Sequence, residues 1–264
     1  MPHRRFVSIA LVLTFMLSIV GVLPVTAQGE TKTITILGTS DIHGNLMPWD
    51  YYANKEAEWG LAKVATLIKQ ERAADPDLLL LDNGDTIQGT PLTYYYNVRD
   101  TETPHPMAVT MNALDFTSTT LGNHEFNYGF GVLDRWIDQL DFPVLSANTR
   151  RTDGSEAYTP YIIEEVDGVQ VGILGLTTPG IPNWEKPANI EGLKWDDPVA
   201  TAQQYVPQMR AEGADVIVIA QHTGWSKAPQ ERTPEAWLTD VATWQDPGSL
   251  PGEKVTIELA PQVP

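Results

Sequence analysis

Apolar positions along this chain follow two periods that alternate. Short β-prone runs at Thr33-Ile34-Thr35-Ile36-Leu37, Leu78-Leu79-Leu80-Leu81, Phe116-Thr117-Ser118-Thr119-Thr120 and Asp215-Val216-Ile217-Val218-Ile219-Ala220 predict buried strands. Between them lie stripes of helical spacing. Leu61, Val64, Leu67 and Ile68 form one; Phe130, Leu133, Trp136, Ile137 and Leu140 form another, opened by a turn at Gly129. Asp196-Asp197-Pro198 is an N-cap with proline at the first helical position; Val199, Ala202, Val206 and Met209 continue that stripe, and Pro207 predicts a kink. Tyr161-Ile162-Ile163 and Val169-Gln170-Val171-Gly172-Ile173-Leu174 flank Asp167-Gly168, which favours the tight turn of a β-hairpin. Strand runs interleaved with helical stripes, without repeats or low-complexity blocks, predict a layered α/β domain. Residues 227–252, rich in Pro, Thr, Asp and Trp, read as a long loop before a short apolar segment at 255–259.

The N-terminus has its own pattern. His3-Arg4-Arg5, an apolar run from Phe6 to Leu23 and the small-x-small sequence Val25-Thr26-Ala27 read as a secretory signal peptide over residues 1–27, followed by a domain at 28–264. A retained anchor is the alternative, since the run lies near the lower limit for spanning a bilayer. Either reading puts the domain in a periplasmic or extracellular compartment. The chain contains no cysteine, so an apolar core and bound metal have to supply the stability that disulfides give many exported domains. Its net charge is −17, and removal of the leader takes away Arg4 and Arg5 and no acid. Such an acidic chain repels nucleic acid polymers. Small anionic substrates remain compatible with it where metal cations dominate the local field.

Each of four strand runs ends in polar residues: Ser40-Asp41-Ile42-His43, Asn83-Gly84-Asp85, Leu121-Gly122-Asn123-His124-Glu125 and Gln221-His222-Thr223-Gly224. Any one of these motifs alone is readily explained as capping of a strand end. Together they offer carboxylate, imidazole and amide donors suited to a pair of first-row divalent ions, and such a pair clamps both ends of an in-line phosphoryl displacement. Strand ends are also where α/β proteins build sites. His105, between Pro104 and Pro106, reads as a loop residue within possible reach of substrate. Tyr94-Tyr95-Tyr96 reads as a loop packed on the rim, with contact to a base as the alternative. Trp184, Trp195, Trp225, Trp237 and Trp244 lack helical spacing and read as packing residues.

Ser40-Asp41-Ile42-His43-Gly44-Asn45-Leu46-Met47, Asp82-Asn83-Gly84-Asp85-Thr86-Ile87-Gln88-Gly89-Thr90-Pro91-Leu92, Leu121-Gly122-Asn123-His124-Glu125-Phe126-Asn127-Tyr128-Gly129 and Ala220-Gln221-His222-Thr223-Gly224 occur in the order found in the calcineurin-like metallophosphoesterases. The chain resembles the exported nucleotidase branch of that family, and within it the 2′,3′-cyclic-nucleotide 2′-phosphodiesterase/3′-nucleotidases. The resemblance implies a four-layer αββα sandwich of the α/β class and two divalent metal ions, whether Mn, Fe, Co, Zn or Mg. It assigns Asp41 and His43 to the first ion, Asp85 to a bridge between both, Asn123 and His222 to the second, and catalysis to His124. Glu125 is expected to serve the hydrogen bonding of its own loop. Asn127 stands where exported 5′-nucleotidases commonly carry an aspartate, and it joins His124 as a catalytic-site candidate that orients the ring. The amide in place of the carboxylate favours the cyclic-nucleotide branch.

The implied activity is hydrolysis of nucleoside 2′,3′-cyclic phosphates and 3′-nucleotides, releasing nucleoside and phosphate. A 5′-nucleotidase, a nucleotide-sugar hydrolase or an inactive metal-binding fragment are the alternatives. The implied partner is a small nucleotide, with no nucleic acid polymer, no membrane after leader cleavage, and a monomeric state. The family's Gly-His-x-His motif is absent from the sequence. The resemblance therefore implies a catalytic domain incomplete at its C-terminus, without the final histidine loop and the nucleoside-binding domain, and a metal pair held weakly.

Overall fold

The computed structural model describes residues 31–223. The leader read over 1–27, the loop read over 227–252 and the segment at 255–259 lie outside the described residues. All contacts below fall within the unit that begins at Ile34.

Alternating leucines explain how the first sheet is buried on both faces. Strand β1 (Ile36–Thr39) pairs in parallel with β4 (Leu79–Asp82), which pairs with β5 (Ser118–Thr120), which pairs with β6 (Val144–Leu145). Successive side chains of a strand point to opposite faces. Leu78 and Leu80 join one apolar cluster with Leu61, Ile68, Met107, Met111, Leu133 and Trp136, whereas Leu79 and Leu81 join another with Leu145, Val171 and Ile173. The first cluster lies under helices α1 (Leu61–Ala74), α3 (Pro106–Ala113) and α4 (Phe130–Ile137); the second lies between two sheets.

The second sheet contains β8 (Tyr161–Val166), β9 (Val169–Thr177) and β11 (Val216–His222), in the order β11-β9-β8. The hairpin turn at Asp167 and Gly168 has φ of 52° and 77°, the left-handed pair that a twisted two-residue turn requires. Strand β11 alternates as β4 does: Val218 and Ala220 face the inter-sheet cluster, while Ile217 and Ile219 face a third cluster under α5 (Pro198–Ala211). Asp197 caps α5 by accepting from Ala200 N at 2.8 Å, and Pro207 lies inside that helix. Helices, sheet, sheet and helix make the four-layer αββα sandwich. Two small antiparallel pairs complete the strands: β2 (Trp49–Asp50) with β3 (Lys55–Glu56), and β7 (Thr149–Arg151) with β10 (Leu193–Trp195).

Three local readings are corrected. Leu67 is 61% exposed although its spacing fits the α1 stripe; Leu61, Val64, Ala65 and Ile68 of that helix pack in the cluster and Leu67 does not. Tyr94, Tyr95 and Tyr96 are helical rather than looped: Thr90 and Pro91 open a short helix α2 (Pro91–Tyr94), which runs into a π-helical turn at Tyr95–Arg99. His105 is buried and caps α3, its Nδ1 accepting from Met107 N at 3.2 Å, so it is a structural cap and no part of the ligand cluster. Among the described residues, no helix is long and apolar enough to cross a membrane.

Candidate metal centre

The loops that follow β1, β4 and β5 are bound to one another before any ligand is considered. Asp41 N donates to Gly84 O at 3.0 Å, His43 N to Asp85 O at 2.8 Å and Gly44 N to Thr86 O at 2.9 Å, extending the parallel β1–β4 pairing past its end. Asp41, His43 and Asp85 have φ of 53°, 49° and 59°. Left-handed backbone is costly for residues with a Cβ, least so for Asp and His, and such conformations persist where surroundings over-determine them. The β4 and β5 loops touch without side chains between them. A Cβ at Gly84 would stand 2.3 Å from Gly122 N, and one at Gly122 would stand 2.3 Å from Asp85 Oδ1.

Glu125 holds these two loops from below. Its Oε2 accepts from Asp85 N and Gly122 N, both at 2.8 Å, and its Oε1 accepts from Thr86 N at 2.6 Å and Ile87 N at 3.4 Å. Burial and the Asp85 charge push its pKa upward, while the backbone N–H groups of Thr86 and Asp85 pull it down. Both oxygens act purely as acceptors, which fits the ionised form. The expectation that Glu125 serves its loop's hydrogen bonding agrees with this geometry.

Above that support the structure brings the sequence-derived candidates together. Asp41 and His43 follow β1, Asp85 follows β4, Asn123 and His124 follow β5, and His222 is the last residue of β11. Asp41, Asp85 and His222 offer ligand atoms that all lie within 4.8 Å of one another. Asp85 Oδ1 accepts from His124 N at 2.8 Å, and its Oδ2 faces three imidazoles: His222 Nε2 at 3.3 Å, His43 Nε2 at 3.8 Å and His124 Nε2 at 4.0 Å. His43 Nε2 also lies 3.7 Å from Asp41 Oδ1, and Asn123 Oδ1 lies 3.2 Å from His222 Nε2.

The donor chemistry fits a cation. His43 Nδ1 donates to Gln88 O at 2.9 Å and His222 Nδ1 donates to Asn83 O at 2.7 Å. A carbonyl accepts only, so each ring keeps its proton on Nδ1 and presents Nε2 to the carboxylates, the orientation that metal-binding histidines take. Asn83 contributes a buried Oδ1 that has no hydrogen-bond partner among the described residues, on the wall of the same cavity. That cavity has a volume of about 290 Å³ and is lined by Asp41, Asn123, Trp184 and His222 among others. Burial alone would depress His222, yet the Asp85 carboxylate and the Asn83 carbonyl raise its pKa to about 9. Burial conversely raises Asp85, but hydrogen bonding and charge from His222, with His124 N and the His124 ring, hold it below the usual carboxylate range. A proton and a metal ion thus compete for the same His222 lone pair.

Asn127 lies outside this ligand cluster, with its Oδ1 2.6 Å from His124 Nδ1. Sequence reasoning missed its other partner: Asn127 Nδ2 donates to Glu185 Oε2 at 2.6 Å. Trp184, expected to serve core or surface packing, is half exposed and lines the cavity. Neither residue carries a local pattern, since both reach the site from a loop distant in sequence.

Comparison with known proteins places this geometry. Residues 34–248 match the calcineurin-like phosphoesterase family. The trifunctional nucleotide phosphoesterase protein YfkN of Bacillus subtilis is 45% identical over 228 residues, covering 80% of this chain and 16% of that protein. A 2′,3′-cyclic-nucleotide 2′-phosphodiesterase/3′-nucleotidase of Yersinia enterocolitica is 35% identical over 239 residues, covering 85% of this chain and 36% of that protein. The crystal structure of the calcineurin-like phosphoesterase YfkN from Bacillus subtilis superposes with a TM-score of 0.68 at 44% identity, covering 75% of this chain and 64% of that one. The chain therefore spans 16% to 36% of the length of these two curated relatives. The family match extends over most of the sequence and includes all the loops that meet at Asp85, and the chain belongs to the calcineurin-like phosphoesterase family.

Proposed function

We propose that this chain carries the catalytic site of an exported metal-dependent phosphoesterase that hydrolyses nucleoside 2′,3′-cyclic phosphates and 3′-nucleotides. The convergence of Asp41, Asp85 and His222 within 4.8 Å, with His43 and His222 both anchored through Nδ1, is the observation that carries the reading. Asp41, His43, Asp85, Asn123 and His222 would hold a pair of divalent ions, Asp85 between them. When bound, such ions supply Lewis acidity toward phosphate oxygens and make water a nucleophile near neutral pH. His124 is the group left to handle a proton: its Nε2 stands 4.0 Å from Asp85 Oδ2, within the cluster, and its side chain is 36% exposed toward solvent. It protonates the departing ribose oxygen, and Asn127 orients the ring. The curated relatives named for nucleotide phosphoester hydrolysis support the substrate class. Asn127, in place of the aspartate usual in exported 5′-nucleotidases, supports the cyclic-nucleotide preference.

A panel of 2′,3′-cyclic, 3′- and 5′-nucleotides, assayed for phosphate release with each candidate metal, tests the assignment. Release from the first two classes is expected; turnover confined to 5′-nucleotides would replace the reading with a 5′-nucleotidase. Export rests on the leader at residues 1–27, and N-terminal sequencing of the secreted protein is expected to begin at Gln28.

A further inference from the structure

We infer that Glu185 is a positioning residue for His124, acting through the Asn127 amide to keep the ring proton on Nδ1; the inference rests on the role proposed above for His124. Glu185 sits between two short 3₁₀ turns, Ile181–Asn183 and Pro187–Asn189. Its Oε2 accepts from Asn127 Nδ2 at 2.6 Å, and its Oε1 accepts from Asn189 Nδ2 at 2.9 Å and Lys186 N at 2.7 Å. Asn189 Nδ2 also reaches the Asn127 backbone oxygen at 2.9 Å, so the two loops are joined at both the side chain and the backbone of Asn127.

The direction of each bond follows from what each group can do. A carboxylate accepts only, so the Asn127 atom facing Glu185 has to be the NH₂. An isolated amide has two nearly equivalent flips, and here the carboxylate selects one. The Asn127 oxygen is thereby turned to His124 Nδ1 at 2.6 Å, and because that oxygen can only accept, Nδ1 carries the hydrogen. Nε2, on the Asp85 side of the ring, becomes the nitrogen that exchanges a proton with substrate. Without Glu185 the flipped amide would donate to Nδ1 and leave a neutral ring protonated on Nε2, with Nδ1 held by a donor and so unable to keep the hydrogen it needs when Nε2 gives its proton to the departing oxygen. Glu185 thus supplies, one side chain removed, the negative partner that an aspartate at position 127 would supply directly. It does so without placing a second carboxylate against the imidazole.

A reciprocal exchange tests the relay. Asn127→Asp alone sets two carboxylates in contact, whereas Asn127→Asp with Glu185→Gln restores every donor and acceptor. The Gln amide would donate to the new carboxylate, and its oxygen would still accept from Asn189 and Lys186. In the full chain, Glu185→Ala is expected to lower kcat for a 3′-nucleotide roughly 10- to 100-fold, by analogy with the cost of losing an outer partner that orients a metal-binding histidine, with KM little changed. Asn127→Asp is expected to fall comparably, and the double variant to recover about tenfold over it. Long-range ¹H–¹⁵N spectra of the imidazoles provide a readout independent of turnover: His124 should be protonated on Nδ1 in the wild type and the double variant, and lose that preference in Glu185→Ala. The same Nδ1 protonation in Glu185→Ala as in the wild type, or a double variant no better than Asn127→Asp, would overturn the inference. Full turnover by His124→Ala beside an intact Glu185-dependent tautomer would instead reject the catalytic role of His124 and leave the relay standing. Glu185→Gln, nearly isosteric, serves where Glu185→Ala fails to fold. With its oxygen kept on Asn189 and Lys186, its NH₂ would face Asn127 and favour the flipped amide, so a kcat loss of the same kind is expected; unchanged kcat with unchanged His124 signals would overturn the inference equally.

Discussion

Asp82 and Asp85 lie three residues apart at the end of one strand, both buried, and their surroundings differ in kind. Asp82 is saturated with donors. It accepts from Thr39 Oγ1 and Thr119 Oγ1 at 2.7 Å, Thr86 Oγ1 at 2.9 Å and Gly84 N at 3.1 Å, and burial still raises its pKa because none of its partners is charged. Asp85 receives one backbone N–H on Oδ1, while Oδ2 faces three imidazole nitrogens between 3.3 and 4.0 Å away. Beneath the loops, Asp82 and Glu125 find donors for their oxygens; above them, acceptor atoms face other acceptors. The first arrangement is complete as protein and holds the loops in place. The second is balanced only by a positive charge, whether a proton on His222 or a metal ion.

The largest expected effect breaks the upper face. Asp85→Ala is expected to remove metal binding, with a loss beyond the roughly 100-fold that changing an outer partner of a ligand costs, measured by metal analysis and calorimetric titration. His124→Ala should separate chemistry from binding: turnover falls about 10²–10⁴-fold, the usual contribution of a positioned acid or base, while metal content stays near wild type. Metal loss equal to that of Asp85→Ala would make His124 a ligand instead. Glu125→Gln addresses the support below. Its amide nitrogen would meet backbone N–H groups with a donor, so a destabilisation of about 2–4 kcal/mol in chemical denaturation is expected. Thr119→Val removes one of four donors to Asp82 and should cost about 1–2 kcal/mol with catalysis little altered.

The last effect is one of pH. His222 rises from 6.5 to about 9 on folding in the metal-free protein. A raised folded-state pKa stabilises fully below the unfolded value and loses that contribution as pH climbs through the folded one. Metal-free stability should therefore decline between about pH 6.5 and pH 9. Metal uptake at pH 7.5 should release about one proton, visible as a dependence of binding enthalpy on the ionisation enthalpy of the buffer. An upper face that takes up metal without releasing a proton would mean that His222 is not displaced from Asp85.

What the sequence made legible was whatever has a short-range physical signature. Asp167-Gly168, Asp197-Pro198 and the leucine run at 78–81 each act within a few residues, and each appears in the fold where its pattern put it. The positions of Asp41, Asp85, Asn123 and His222 were legible through ordered motifs, because parallel strands that end together deliver their loops to one edge. Glu185 gave no such signal. Its partner Asn127 is 58 residues away, and nothing within a window around either predicts the pair. Tyr94, Tyr95 and Tyr96 misled in the opposite way: aromatic clustering suggested an irregular rim, while the Thr90-Pro91 cap set a helix going. Leu67 shows that spacing alone does not bury a side chain where the partner surface ends.

The bare contact between Gly84 and Gly122 also determines where this protein can be redesigned. Any side chain at either glycine would occupy space already filled by the other loop's backbone or by Asp85 itself, so neither position can be varied without moving its neighbour. A protein engineer seeking a new substrate has no foothold on that side. Another part of the cavity is lined by the half-exposed Trp184, which lies outside the glycine-bearing loops. Libraries confined to that part should yield more folded, metal-competent variants than libraries of equal size spread over the glycine-bearing loops.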